Sequence, residues 1–117
     1  MDLLGTFFAI SLITQLLHSI EELSTGFNKS WYLFKMPFRT FLIFEIIFSL
    51  FWLLVLALKG LPLRSYLQSF FLVLMFANGI QHIVWWGVAK KYVPGLVTAF
   101  VHIGVFFVFY YSLVFGL

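Results

Sequence analysis

Cysteine is absent from the 117 residues, which excludes a disulfide framework and any thiolate metal site. Charge is nearly as scarce, with 9% of residues charged against 63% hydrophobic. A soluble domain needs far more polar surface, so this composition belongs to an integral membrane protein. The prolines, Pro37, Pro62 and Pro94, all fall at the ends of apolar runs. No basic patch exists either: the net charge of +3 comes from lysines and arginines flanking those runs, which excludes nucleic acid as a partner.

What is present is apolar length. Four runs, residues 3–23, 39–58, 66–89 and 94–115, each approach the roughly 20 helical residues that cross a bilayer core of about 30 Å. They occupy almost the whole chain, so the expectation is one domain over residues 1–117 without a soluble part. The first run has no basic leader and no small-residue cleavage site, and reads as a retained span and not a signal peptide. Short connections favour an all-α, four-helix transmembrane antiparallel bundle. Lys29, Lys35, Arg39, Lys90 and Lys91 flank one side, while Lys59 and Arg64 flank the other. The positive-inside rule then puts both termini outside, with the plasma (inner) membrane as the expected location.

The polar stretch from Ser24 to Ser30 ends the first span, and Trp31, Tyr32 and Met36 suit a segment resting among headgroups before Pro37 starts the second. Gly60 and Pro62 mark a tight second turn, Ser65 and Gln68 have capping-box spacing for the third span, and Pro94 suits the first turn of the fourth. The 17 phenylalanines follow no single face, as expected for lipid contact and interhelical packing.

Against this background, three glutamates and three histidines stand out, because ionisable groups inside spans are expensive and mark functional sites. On the first span, Ser11, Thr14, Gln15, His18, Glu21 and Glu22 fall at helical spacing and draw a polar stripe. His18 and Glu22, at i and i+4, can meet one ion from the same side. The third span repeats the spacing with Asn78, Gln81 and His82, while the second and fourth supply Glu45 and His102. At 1.5 Å per residue His18, Glu45, His82 and His102 lie roughly 9–12 Å from the same, cytoplasmic end of their spans, with Glu21 and Glu22 slightly nearer that face. Such a layer is expected to form one site.

No lysine or arginine lies near that layer, and a buried carboxylate must be protonated, paired or metal-bound. Imidazole with carboxylate suits zinc or iron, with manganese a further candidate. The expected ligands are His18, Glu21, Glu22, Glu45, His82 and His102, holding two ions, or one ion with a spare glutamate as base. Glu21 doubles as the catalytic proton acceptor, and Asn78 and Gln81 are expected to orient ligands or substrate. A hydrogen-bonded structural network and a proton or ion pathway remain alternatives for the same residues.

His18-Ser19-Ile20-Glu21-Glu22 resembles the signature of the HXXEE-domain family of small integral membrane proteins. The later segments Asn78-Gly79-Ile80-Gln81-His82 and Tyr92-Val93-Pro94-Gly95, with Thr98, are similar to that family's Asn/His and Tyr-x-Pro-Gly segments. The resemblance implies His18, Glu21, Glu22 and His82 as site residues and supplies no activity or substrate. Paired glutamates with separate histidines and an asparagine also resemble intramembrane prenyl-protein proteases, but the arginine that follows their glutamate pair is missing, which argues against a protease.

The functional expectation is therefore a metal-dependent membrane enzyme that hydrolyses or oxidises a lipid-like or hydrophobic substrate taken from the surrounding membrane lipid. Two rivals use the same residues: a small metal-ion or proton transporter or channel, and a non-catalytic assembly subunit with a buried polar network. Gly79, Gly87 and Gly104 are small enough to serve a homodimer interface.

Overall fold

The computed structural model describes residues 1–116. Four long helices, α1 (Leu3–Thr25), α3 (Phe38–Ala57), α4 (Arg64–Ala89) and α5 (Leu96–Phe115), are each long and apolar enough to cross a membrane, and the short α2 (Phe27–Ser30) follows α1. The chain is an all-α, antiparallel four-helix bundle and an integral membrane protein, with boundaries within two residues or so of those read from hydropathy. The short helix α2 was not legible: its four residues carry no period of their own, and it forms because Gly26 turns left-handed (φ 83°). Asn28 then closes the segment, its carbonyl accepting from the Met36 N–H at 2.9 Å and its side chain donating to the Met36 carbonyl at 3.2 Å.

The helices do not form an even ring. Helix α1 touches every other element, α4 packs most extensively on α5, and α3 lies on α1 with few contacts to α4 and none to α5. The most polar helix is thereby the most hidden: 44% of its span is buried, against 22% for α3 and 17% for α5. Ser11, Thr14, Gln15, His18, Ser19 and Glu22 all turn inward from α1, as a single stripe at helical spacing must. Two apolar clusters lie above and below this polar layer. One joins Phe8, Leu12, Trp52, Val55, Phe71 and Met75, and the other joins Phe27, Phe41, Trp85, Val93 and Leu96.

The turns depart from expectation in two places. Ser65 and Gln68 form no capping box, because α4 already begins at Arg64, its N-cap Leu63 is left-handed (φ 60°), and Gln68 is buried in the interior. Arg64 instead reaches back to α3, donating from Nε to the Val55 carbonyl at 2.8 Å and from Nη2 to the Leu56 carbonyl at 2.7 Å. A cation on the last carbonyls of a helix satisfies orphan acceptors and opposes the dipole. Arg64→Ala is expected to lower stability by about 2 kcal/mol, given the strength of hydrogen bonds from charged donors; thermal unfolding in detergent checks this. Pro94, expected in the first turn of α5, precedes it instead: Gly95 is the N-cap, left-handed at φ 88°.

At Gly79 the backbones of α4 and α5 approach so closely that a Cβ would stand 2.9 Å from the Ala99 carbonyl oxygen. Gly79 is therefore committed to packing within the chain, whereas Gly87 and Gly104 face open space.

Candidate metal centre

His18 and Glu22 stand one turn apart on α1, and His82 reaches the same point from α4. Among the described residues, these three form the one group whose ligand atoms all lie within 4.8 Å of one another. Glu22 Oε2 is 3.4 Å from His18 Nε2 and 3.2 Å from His82 Nε2. Both imidazoles are sealed from solvent at 0% exposure. The 3.2 Å contact is off hydrogen-bond geometry, so neither nitrogen of His82 has a hydrogen-bond partner. Its ring lies among Phe27, Trp85 and His18.

The adjacent residue of the motif faces elsewhere. Glu21 turns to the start of α5, where its carboxylate accepts from the Thr98 N–H (3.0 Å), the Val97 N–H (3.2 Å), the Thr98 hydroxyl (2.7 Å) and the Tyr92 hydroxyl (2.5 Å). It is the acidic cap of that helix, supplied by another helix. The Tyr92 phenol, between the spans, is pushed above its ordinary pKa by burial and by donating to Glu21.

Thr98 also joins Glu21 to His18. Its hydroxyl is 2.6 Å from His18 Nδ1 and 2.7 Å from Glu21 Oε1. A hydroxyl has one proton and an ionised carboxylate only accepts. Thr98 therefore donates to Glu21 and accepts from His18 Nδ1–H, leaving the Nε2 lone pair facing Glu22. Orienting a histidine through its second nitrogen is what outer partners do in metal sites.

Glu45 and His102 border the group without joining it. Ser19 donates to Glu45 Oε2 at 2.5 Å, and His102 Nε2 donates to Gln15 Oε1 at 2.9 Å. The His102 ring packs edge-on against His18, centroids 5.3 Å apart, and its Nδ1 is buried without a partner. Of the six ionisable residues, five thus face one interior layer and Glu21 faces the turn before α5. Asn78 Nδ2 donates to His18 Nε2 at 3.2 Å, Gln81 Nε2 to Asn78 Oδ1 at 3.1 Å, and Trp31 Nε1 to Gln81 Oε1 at 3.3 Å.

Gly95, which in the sequence stands only as the last residue of the Tyr-x-Pro-Gly segment, sets the space above the cluster. A Cβ there would stand 2.6 Å from His82 Cε1, 2.7 Å from His18 Cε1 and 3.1 Å from Glu22 Cγ. The turn before α5 is the lid of the cluster, and only glycine leaves room beneath it. The Tyr-x-Pro-Gly segment was the available signal, but spacing alone says nothing about what a turn covers.

Beside the cluster lies a cavity of about 540 Å³. Its walls are apolar, with Phe41, Phe44 and Phe48 of α3 facing Leu74 and Met75 of α4, and its polar end carries Gln15, Glu22, Glu45, Asn78 and Gln81. The sparse contact between α3 and α4 leaves it open: Phe34 and Phe44, both on its wall, are more than half exposed.

No curated protein and no solved structure matches this chain. The model of a family described as proteins of unknown function with an HXXEE motif matches residues 9–112. With His18, Glu21 and Glu22 reading out that motif on α1 and the match spanning nearly the whole bundle, the chain belongs to the HXXEE family.

Proposed function

We propose that the protein is a membrane-embedded, metal-dependent enzyme acting on a lipid-like substrate, with one divalent ion held by His18, Glu22 and His82. The observation that carries this reading is His82. A wholly buried imidazole whose Nδ1 has no partner and whose Nε2 meets Glu22 only in a 3.2 Å contact off hydrogen-bond geometry forgoes up to about 1–3 kcal/mol at each nitrogen, and a cation shared with Glu22 and His18 would recover it at Nε2.

Two imidazoles and one carboxylate suit zinc, iron or manganese, and three protein ligands are what catalytic zinc sites use while keeping one position open. Bound there, such an ion would supply a Lewis acid at the edge of the cavity, zinc favouring hydrolysis and iron or manganese oxidation. The chain's residues divide the remaining work. Thr98 and Glu21 hold the tautomer of His18, while Asn78 and Gln81 present amides to the substrate. Glu45, anchored by Ser19, is the carboxylate outside the ligand set that lines the cavity. It suits the part of proton acceptor better than Glu21, whose oxygens four donors already occupy.

One ion fits better than two, because one has only to displace the Asn78 amide from His18 Nε2, whereas a second would have to draw Glu45 and His102 away from Ser19 and Gln15. A transport pathway is less well supported, because the two apolar clusters close the layer from above and below. The flanking charges favour both termini outside a plasma (inner) membrane, and Gly87 and Gly104 leave a face for a second copy.

The test is metal content after purification in mild detergent without chelators. About one zinc, iron or manganese ion per chain is expected, lost in His82→Ala and retained in His102→Gln. Folded wild-type protein without metal would overturn the proposal.

A further inference from the structure

The cavity beside the cluster has a chemistry of its own. Its polar end holds two carboxylates and three amides, and no lysine or arginine lines it. In the metal-free site a phosphate or carboxylate head would meet Glu22 and Glu45 without a counter-charge. With the divalent ion of the proposed function in place, the two carboxylates and the ion sum to zero, so an anionic or an ammonium head alike would bring uncompensated charge, which is costly in a low-dielectric site. An uncharged donor meets neither penalty. Glu45 Oε2 is taken by Ser19, and Oε1 has no partner among the described residues while its side chain lines the cavity.

The volume, about 540 Å³, lies within the roughly 300–1,000 Å³ of small-molecule sites and has room for one hydrocarbon chain, not two. The opening beside exposed Phe44 and Ala77 faces the acyl region, where such a chain already resides.

We propose that this cavity binds a single-chain amphiphile with an uncharged hydroxyl head, entering from the bilayer between α3 and α4, and that Glu45 selects the head. The inference deepens the proposed function by naming its substrate class, but the binding step requires no metal.

The experiment is photolabelling of detergent-purified protein by a hexadecanol carrying a diazirine on its chain, with and without chelator. Saturable labelling of peptides from α3 and α4 is expected under both conditions. In metal-loaded protein hexadecanol should compete at least tenfold better than hexadecyl phosphate, palmitate or hexadecylamine, and with chelator the preference over the two anions should hold while that over hexadecylamine is lost. Glu45→Gln should shrink the preference over phosphate about tenfold, and Ala77→Trp or Leu74→Trp, both at the cavity wall, should cut labelling at least tenfold. Unsaturable labelling, labelling indifferent to both tryptophans, or equal competition by the anionic amphiphiles would overturn the inference. Labelling that holds in protein that never binds metal would support this site while removing the metal reading. Metal retention without labelling would do the reverse.

Discussion

Gly95→Ala is expected to abolish the proposed metal binding and to destabilise the protein by about 3 kcal/mol or more. Two costs add. The left-handed backbone at φ 88° costs a residue with a Cβ about 1–2 kcal/mol. The new methyl also falls 2.6 Å and 2.7 Å from two imidazole carbons that are fully buried and have nowhere to retreat, and such overpacking costs about 1–3 kcal/mol. Gly26→Ala is the matched control, since Gly26 is also left-handed (φ 83°) but its nearest neighbour would be the flexible Lys29 side chain at 3.5 Å. It should lose about 1 kcal/mol and keep its metal. Thermal unfolding and elemental analysis of both variants decide the matter: if Gly95→Ala behaves like Gly26→Ala, the turn does not press on the histidines.

Thr98→Val is expected to weaken metal affinity by about 10- to 100-fold, the usual effect of removing an outer partner of a ligating histidine, while the fold survives. Valine keeps the shape of threonine, and Glu21 still accepts from the Val97 N–H, the residue-98 N–H and the Tyr92 hydroxyl. What disappears is the acceptor for His18 Nδ1–H, leaving a buried donor unpaired and the tautomer free. Thr98→Ser, which retains the hydroxyl, should restore most of the affinity. Competition titration against a chelator measures the loss, and nitrogen chemical shifts of His18 report the tautomer directly. Unchanged affinity in Thr98→Val, with His18 still protonated at Nδ1, would remove Thr98 from the site.

Both predictions concern the contact between the turn before α5 and the histidines of α1 and α4, which is also where sequence and structure diverge most. Glu21 reads from sequence as equal to Glu22, since adjacent carboxylates in one motif carry no mark of which faces the bundle interior. On a helix, one residue turns the side chain by about 100°, and that rotation assigns Glu22 to the histidines and Glu21 to the cap of α5. The motif is thus two devices, and its spacing follows from both.

The sequence by itself determined the membrane, the four spans and the layer. Apolar length against bilayer thickness leaves few other solutions, and a polar stripe at helical spacing on a membrane helix must face protein. It also determined which six ionisable side chains needed explaining, because burying them costs too much to be incidental. Only the tertiary structure decided which of them meet. His18, Glu22 and His82 converge because α1 and α4 pack side by side, whereas Glu45 and His102 find Ser19 and Gln15 first. The lid at Gly95, the threonine between Glu21 and His18, and the cavity between α3 and α4 all depend on interhelical distances of a few ångströms. Hydropathy and periodicity fix each helix against the membrane, but they contain no term for the distance between one helix and the next.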